Sequence, residues 1–260
     1  PHIIHNRVHL RYDITNINSK DIVKNLISQG KIHLLSFMDH TPGQGQYKDL
    51  EVYRETVKSY NEKMTDKDFE NDVIERQNRP KLKFEQLLEL SKCAKENGVS
   101  LASHDDDTLE KLDVVTEFGA TISEFPITLE VARKAKEIGM WTVAGAPNLL
   151  LGRSHSGNLS ALDGILDGSI SVISSDYYPS AMLVNLFKVH EKHGISLTDM
   201  FNMVTINPAR AVGIDDEVGS IDIGKNADLL VIEKKSKYPA IKLAMVDGHI
   251  VFQTSYRYDN

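Results

Sequence analysis

The feature that most constrains the fold is a regular alternation of short β-like runs with longer helical runs. Several helical runs end at a glycine (Gly30, Gly98, Gly119 and Gly139), where a left-handed residue would close a helix. This alternation predicts an α/β fold with a parallel sheet or barrel. The predicted strands are RVHLRYD (7–13), IHLLSFM (32–38), VSLAS (99–103), ATISEF (120–125), WTVAG (141–145) and SVISS (171–175).

Two segments depart from this alternation. Residues 47–80 are highly charged with weak helical periodicity, which favours solvated helices outside the barrel over a lid. Residues 214–260 depart from the strand–helix alternation and include a predicted hairpin with its turn at Asp247-Gly248. We therefore predict a barrel region over 1–213 and a separate small β unit over 214–260.

Composition narrows the classes of partner and compartment. The formal net charge of −7 and the pI near 5.8 argue against nucleic acid or an anionic membrane as the main partner, because both need clustered positive charge. Cys93 is the single cysteine, so neither an intramolecular disulfide nor a thiolate metal cluster can form. No apolar run approaches the roughly 20 residues that span a bilayer. These observations predict a cytoplasmic protein.

Polar side chains stand where the predicted strands end. His104 follows VSLAS and Asp176 follows SVISS, while Asp39 and His40 follow the second strand and Glu124 closes the fourth. The carboxyl ends of parallel strands meet at one mouth of a barrel, where reactive residues cluster. Imidazoles and carboxylates converging there are the ligand set of Zn²⁺, Mn²⁺ or a similar divalent ion. The sequence therefore predicts a metal site.

Each of these residues has a simpler interpretation. A strand-end aspartate often only caps the next helix, and capping is the favoured role for Asp107 or Thr108. A buried His or Glu at a strand end can simply form hydrogen bonds with neighbouring loops. His9 and Asp13 lie in one row on the first strand and can pair within that row. Capping does not explain a histidine after an apolar strand, so ligation or metal-linked catalysis is favoured for His104 and Asp176.

A glycine-rich segment, AGAPNLLLGRSHSGNLSA (144–161), is a second candidate site. Its glycines allow close backbone approach, and its polar side chains precede a helix, an arrangement that suits an oxyanion such as phosphate. On spacing alone a plain βα turn is the default interpretation. The candidate substrate-binding residues are Arg153, Ser154, His155, Ser156 and Asn158, with Tyr177 after the last predicted strand.

Six strings span the predicted strand ends and the glycine-rich segment: HLRYD (9–13), SFMDHTPGQ (36–44), ASHDDDT (102–108), SEFPITLEVAR (123–133), GAPNLLLGRSHSGN (145–158) and SSDYYPSAML (174–183). Together they resemble the diphosphatases of the carbon–phosphorus lyase pathway for phosphonates, within the amidohydrolase superfamily. The ending NPARAVGIDDEVGSIDIGKNADLLVI (207–232) with VDGHIVF (246–252) resembles the ending shared by many amidohydrolases.

The resemblance implies a fold, a cofactor and a reaction. The fold would be an incomplete (β/α)₈ TIM-like barrel with C-terminal β-sandwich strands, and the cofactor a divalent metal, Zn²⁺ first, with Mn²⁺ or Mg²⁺ possible. The substrate would be an anionic phosphorylated small molecule, ribose 1-methylphosphonate 5-triphosphate, hydrolysed to the 5-phosphate and pyrophosphate. His104 and Asp176 would be catalytic metal-site residues, with Asp176 as the base and Arg153 among the groups that neutralise the triphosphate.

The resemblance also implies that this sequence is the C-terminal two-thirds of such an enzyme. Family members begin with a β-sandwich segment and a first barrel strand that carries a His-rich metal motif. We therefore expect six of eight barrel strands, a metal-poor site, and edge strands that pair with a second copy in a homo-oligomer or remain loosely ordered. The alternatives are a dihydroorotase-like cyclic-amide hydrolase and a non-catalytic fragment.

Overall fold

The main element of the fold is a six-stranded parallel sheet, seen in a computed structural model that describes residues 3–152, 154, 158–235 and 238–255. The strands lie side by side in chain order, so each pairs with the next along the sequence. This confirms the α/β class and all six predicted strands, although these strands form an open sheet. They are β1 (His9–Asp13), β2 (Leu34–Met38), β3 (Ser100–His104), β4 (Ile122–Glu124), β5 (Trp141–Gly145) and β6 (Val172–Ser174).

Helices connect the strands and cover the outer face of the sheet. Gly30, Gly98, Gly119 and Gly139 all have positive φ, from 66° to 88°, which confirms the predicted helix ends. The helices are α1 (Lys20–Ser28), α2 (Leu50–Tyr60), α3 (Asp66–Gln77), α4 (Phe84–Glu96), α5 (Leu109–Glu117), α6 (Leu129–Glu137), α7 (Ala146–Leu151), α8 (Ala161–Asp167), α9 (Ala181–His193), α10 (Leu197–Asn202) and α11 (Ile206–Ala211).

The two faces of the sheet differ because successive strand side chains point in opposite directions. Leu35 and Leu101 face outward into a core built with α1, α4 and α5. Ala102 and Ile122 face inward and pack against Ala211. Residues on the inward face become polar toward the carboxyl ends of the strands. The inward face therefore has an apolar floor and a polar mouth.

The charged insertion forms two helices, α2 and α3, outside the sheet, as predicted. Thr65 begins α3 with a reciprocal capping box formed with Asp68. The pair is not wholly solvated, because Tyr53, Phe69 and Val73 form a small buried cluster of their own.

A separate three-stranded antiparallel sheet follows, made of β7 (Leu229–Lys235), β8 (Tyr238–Val246) and β9 (His249–Gln253). Asp247 and Gly248 join β8 to β9 with φ of 50° and 77°, the left-handed pair of a tight hairpin, so the predicted turn is confirmed. The division of the chain at 213/214 stays a prediction. Within the described ranges, no helix combines the length and apolarity needed to cross a membrane.

Candidate functional site

A cavity of about 310 Å³ opens at the carboxyl ends of the strands, at the lower end of the size range of small-molecule sites. It brings together both predicted catalytic residues and three of the predicted substrate-binding residues. Its polar and aromatic lining includes Arg11, His104, Asp105, Phe125, Asn148, Ser154, Asn158, Asp176 and Tyr177.

His104, the last residue of β3, is 95% buried, with 5% of its surface exposed. Its Nε2 accepts a hydrogen bond from Nη2 of Arg11 at 3.0 Å. Since arginine can only donate, Nε2 carries the lone pair and the neutral ring holds its proton on Nδ1. Nδ1 lies 2.8 Å from Oδ2 of Asp105, but without hydrogen-bond geometry, so the contact is a charge–dipole approach. The ring is thus oriented chiefly by Arg11.

Three residues that line the cavity have left-handed backbone conformations although they are not glycine. They are Asp105, Phe125 and Asp176, with φ of 53°, 57° and 49°, and they follow β3, β4 and β6. Each such conformation costs on the order of 1–3 kcal/mol and persists only where the surroundings hold it. Backbone strain concentrated at one cavity is typical of a functional site.

Lys111 of α5 holds the turn that follows His104. Its Nζ donates to the backbone oxygens of His104 and Asp105, at 2.8 and 2.9 Å. The same Nζ lies 3.7 Å from Oδ1 of Asp106, a carboxylate with no exposed surface. Sequence reasoning missed Lys111, and nothing in the run of three aspartates indicates that Asp106 is the one with no exposed surface.

The other oxygen of Asp106 fastens β3 to β4. Its Oδ2 accepts hydrogen bonds of 2.5 Å from the hydroxyls of Ser103 and Ser123, which occupy paired positions on the two strands. Because these hydrogen bonds join β3 to β4 next to the His104 turn, Asp106 is a structural residue that supports this turn.

Gly145, at the end of β5, allows Asp176 to lie close to the sheet. A Cβ at this position would be 3.1 Å from Asp176 Oδ2 and 3.4 Å from Cε1 of Phe125. The Phe125 ring also makes an edge contact with the His104 ring, with centroids 5.1 Å apart. Phe125 therefore lies beside both predicted catalytic residues.

Two of the other predicted metal ligands, Asp39 and His40, are partnered by neighbouring side chains. Oδ2 of Asp39 accepts from Lys81 Nζ at 2.7 Å. Burial would raise the pKa of Asp39, but the hydrogen bonds from Lys81 and Thr41 outweigh it and lower the pKa. Nδ1 of His40 lies 2.8 Å from Oδ2 of Asp13. Neither residue lines the cavity with His104 and Asp176.

Glu124 belongs to a network inside the sheet. Its Oε2 accepts from Ser36 Oγ at 2.6 Å, and Ser36 also contacts His9 Nε2 at 2.5 Å. Burial lowers the pKa of His9, Glu124 opposes that shift, and the positive charge of Arg11 adds to it. Glu124 thus makes the kind of internal hydrogen bond that the simpler interpretation expected.

The described residues supply the donor types of a metal site, but they do not assemble one. Over 3–152, 154, 158–235 and 238–255, no three His, Cys, Asp or Glu side chains converge as a metal site requires. His104 and Asp176 share a cavity, whereas the other predicted ligands contact protein partners. The described residues by themselves therefore do not make a complete metal centre. Ligation by His104, Asp176, Asp39, His40 and Glu124 stays a prediction.

The glycine-rich segment forms one wall of the cavity, to which Ser154 and Asn158 contribute. Arg153, His155 and Ser156 lie outside the described residues. Asn148 in α7 anchors the far end of this segment, because its side chain donates to Leu159 O and accepts from Ala161 N, both at 2.9 Å. Sequence reasoning did not single out Asn148.

Comparison with known proteins identifies related sequences. The model of the family described as "Amidohydrolase family" matches residues 23–251. Alpha-D-ribose 1-methylphosphonate 5-triphosphate diphosphatase of Escherichia coli K12 is 33% identical over 254 residues, 95% of this chain and 65% of that protein. Imidazolonepropionase of Streptococcus gordonii is 31% identical over 62% of this chain and 54% of its own length. Mouse guanine deaminase is 31% identical over 52% of this chain and 28% of its own.

Solved structures resemble the fold. An amidohydrolase from Thermotoga maritima MSB8 superposes with a TM-score of 0.54 at 19% identity, over 79% of this chain and 55% of that one. A Xaa-Pro dipeptidase with bound methionine gives a TM-score of 0.57 at 14% identity, over 90% of this chain and 59% of that one. At these identities the likeness concerns the fold alone.

Proposed function

This chain belongs to the amidohydrolase family, and we propose that it is a diphosphatase that hydrolyses ribose 1-methylphosphonate 5-triphosphate to the 5-phosphate and pyrophosphate. The observation that carries this proposal is the 33% identity to the Escherichia coli diphosphatase over 95% of this chain. The chain spans 65% of that relative's length, so the relative's whole activity is a proposal for this protein.

In this proposal, Asp176 accepts the proton of the attacking water. Its side chain is exposed in the cavity, and a carboxylate within reach of a water can act as a general base. Phosphoryl transfer otherwise demands positioning and charge stabilisation. We assign those tasks to Tyr177 and to donors of the glycine-rich segment. These donors are Arg153, Ser154, His155, Ser156 and Asn158.

Members of the amidohydrolase superfamily are generally metal-dependent. We propose that a divalent ion, Zn²⁺ first and Mn²⁺ or Mg²⁺ as alternatives, binds against His104 and Asp176. Support comes from the chemistry of this pair and from the cavity that they share. His104 would have to release Arg11 from its Nε2 to bind the ion. The other predicted ligands, Asp39, His40 and Glu124, would likewise have to exchange their present protein partners for it.

Zinc titration tests the metal proposal. His104→Ala and Asp176→Asn should each weaken Zn²⁺ binding, whereas His193→Ala, on the exposed end of α9, should not. Equal affinity in all of these proteins would contradict the assignment.

A cyclic-amide hydrolase is the competing enzymatic proposal, because one fold supports many reactions. The deaminase and imidazolonepropionase relatives are nearly as similar per residue, but they match only 52% and 62% of this chain. The wider match to the diphosphatase favours anhydride hydrolysis. A non-catalytic role is the third candidate.

Product analysis separates the three. The protein is incubated with ribose 1-methylphosphonate 5-triphosphate, or with dihydroorotate, in the presence of Zn²⁺, Mn²⁺ or Mg²⁺. We expect pyrophosphate in the phosphorus NMR spectrum with the first substrate only, and its loss in Asp176→Asn. Ring opening of dihydroorotate without pyrophosphate release would favour the cyclic-amide hydrolase. Turnover of neither substrate would favour the non-catalytic role.

Two further proposals concern the cellular compartment of the protein and its association with a second copy. We propose a cytoplasmic protein, on the basis of its single, buried cysteine, Cys93. We also propose that the outer strands of the open sheet, β1 and β6, pair with a second copy, because unpaired strand edges seek partners. Sedimentation velocity would detect the resulting dimer. We expect no nucleic-acid partner, given the net charge of −7.

A further inference from the structure

Arg11 introduces a positive charge into the cavity that no described carboxylate neutralises. Its Nε donates to the sulfur of Met38 at 3.1 Å, and its Nη2 donates to Nε2 of His104 at 3.0 Å. Both partners are uncharged, because His104 accepts through its lone pair. Within the described parts of the chain, Arg11 makes no ion pair, and its remaining N–H groups on Nη1 and Nη2 have no acceptor.

Two other cations described near the mouth of the sheet are already engaged. Lys81 is paired with Asp39 at 2.7 Å, and Lys111 is held by two backbone oxygens above Asp106. The charge of Arg11, by contrast, extends to its neighbours. It contributes to the lowered pKa of His9, after burial, and there Glu124 is the opposing influence. Arg11 therefore brings a positive charge without an ion-pair partner among the described residues to its side of the cavity.

The free part of the guanidinium has the geometry for an oxyanion. Arginine presents its donors in a rigid planar fork, which binds phosphate through two parallel hydrogen bonds. Bound to Met38 and His104 on one side, the fork is already oriented, so less side-chain entropy is lost when an anion binds. The acidic residue closest in sequence to His104, Asp105, approaches the imidazole rather than Arg11.

We propose that Arg11, held in the metal-free protein by its contact with His104, binds phosphoryl oxygens of the anionic substrate through its free N–H groups. This inference rests on the proposed diphosphatase function and adds a substrate-binding residue from β1, on a strand remote from the glycine-rich segment. It identifies the ligand at this position as a phosphate or polyphosphate group.

The test is a calorimetric titration of inorganic pyrophosphate and inorganic triphosphate without added divalent ions. Wild-type protein is compared with Arg11→Met, Arg11→Lys and a matched control, Arg79→Met, whose arginine forms an exposed pair with Glu75 in α3. Arg11→Met should bind the anions about tenfold more weakly or worse, because a charge-assisted bidentate contact is lost. Arg11→Lys should fall between the two, and Arg79→Met should match the wild type.

The anion titration and the product analysis together separate the role of Arg11 from the proposed diphosphatase activity. Equal affinity in wild type and Arg11→Met, or no binding by the wild type, overturns the role of Arg11. If Arg11→Met binds pyrophosphate weakly and the wild type releases none from the ribose triphosphate, the Arg11 site stands and the diphosphatase proposal fails. Should Arg11→Met not fold, Arg11→Lys and the shift of the wild-type guanidinium NMR signals on adding pyrophosphate decide the question. An unchanged affinity and an unchanged spectrum would then refute it.

Discussion

The carboxyl ends of β1 and β2 and the carboxyl ends of β3 to β6 carry the same kinds of side chain but use them differently. Near β1 and β2, His40 contacts Asp13, and Lys81 is bonded to Asp39, so these side chains are engaged with one another. Near β3 to β6, His104 and Asp176 open into a cavity, and Asp176 is exposed there. Position at a strand end therefore does not by itself identify a reactive residue.

The backbone makes the same distinction. The left-handed, non-glycine residues Asp105, Phe125 and Asp176 all border the cavity, and the remaining one among the described residues, Asp247, lies in the distant hairpin. Backbone strain from left-handed, non-glycine residues persists where the strained geometry serves a function. We infer that function lies at the ends of β3 to β6 together with Arg11 of β1, and that the pairs formed by Asp13 with His40 and by Asp39 with Lys81 support stability.

The largest expected effect is on the rate of pyrophosphate release, when Asp176 and Asp39 are each replaced by asparagine. Asp176→Asn removes the proposed proton acceptor and should lower pyrophosphate release by about 10²–10⁴-fold. Asp39→Asn removes only a carboxylate that is already paired with Lys81, and should lower it less than about tenfold. Both rates can be measured with a coupled pyrophosphate assay. Equally large losses would place Asp39 in the reactive centre, as its prediction as a metal ligand implies, and would break the comparison.

The next effect concerns the support beneath His104. Lys111→Met removes two hydrogen bonds to the strained turn and leaves the buried carboxylate of Asp106 without its nearby cation. We expect a loss of about 1–3 kcal/mol in the free energy of unfolding, measured with urea, because buried polar groups lose their partners.

Lys92→Met is the matched control for this change. Lys92 lies on the surface of α4, 3.9 Å from Glu96, so its removal should alter stability by less than about 0.5 kcal/mol. If the two variants were equally stable, Lys111 would not support the turn.

A smaller effect is expected at Gly145. Gly145→Ala places a methyl group 3.1 Å from Asp176 Oδ2, so the carboxylate must shift by a few tenths of an ångström. Its φ of −85° is accessible to alanine, so the backbone should tolerate the change. We expect turnover to fall by about tenfold with a nearly unchanged melting temperature, since small misplacements are costly in catalysis. Unchanged turnover would show that the position of Asp176 is not critical.

Local sequence signals predicted much of the fold. The alternation of short apolar runs with helical runs predicted all six strands of the sheet, because buried parallel strands are short and almost continuously apolar. Glycine located helix ends such as Gly98 and Gly139, because it adopts positive φ at low cost. The same reasoning placed the hairpin turn at Asp247 and Gly248.

The partners of the candidate site residues could not be predicted in this way. Arg11 and His104 are separated by 93 positions, and only the pairing of β1, β2 and β3 brings them together. No local signal marks a left-handed Phe125, because the surrounding structure imposes that conformation rather than the residue's own preference. Whether a strand-end carboxylate is paired or available depends on such contacts.

The smallest expected effect is an acid sensitivity of the β1–β2 pairs. Burial would raise the pKa of Asp13, but hydrogen bonds involving His40 and Thr15 outweigh it and lower the pKa from 3.8 to about 2. Because the folded pKa lies below the unfolded one, Asp13 stabilises the protein fully above about pH 4, and this contribution disappears as the pH falls toward about 2. With 34% of the side chain exposed, solvent screening should limit this contribution to about 1 kcal/mol.

Urea unfolding at several pH values between about 5 and 2.5 should therefore show a shallower loss of stability in Asp13→Asn than in the wild type. Asp163→Asn, in the first turn of α8, serves as the control and should follow the wild-type curve. A wild-type slope in Asp13→Asn would mean that the pair with His40 does not stabilise the folded protein, and the contrast between the two parts of the sheet would then rest on the cavity alone.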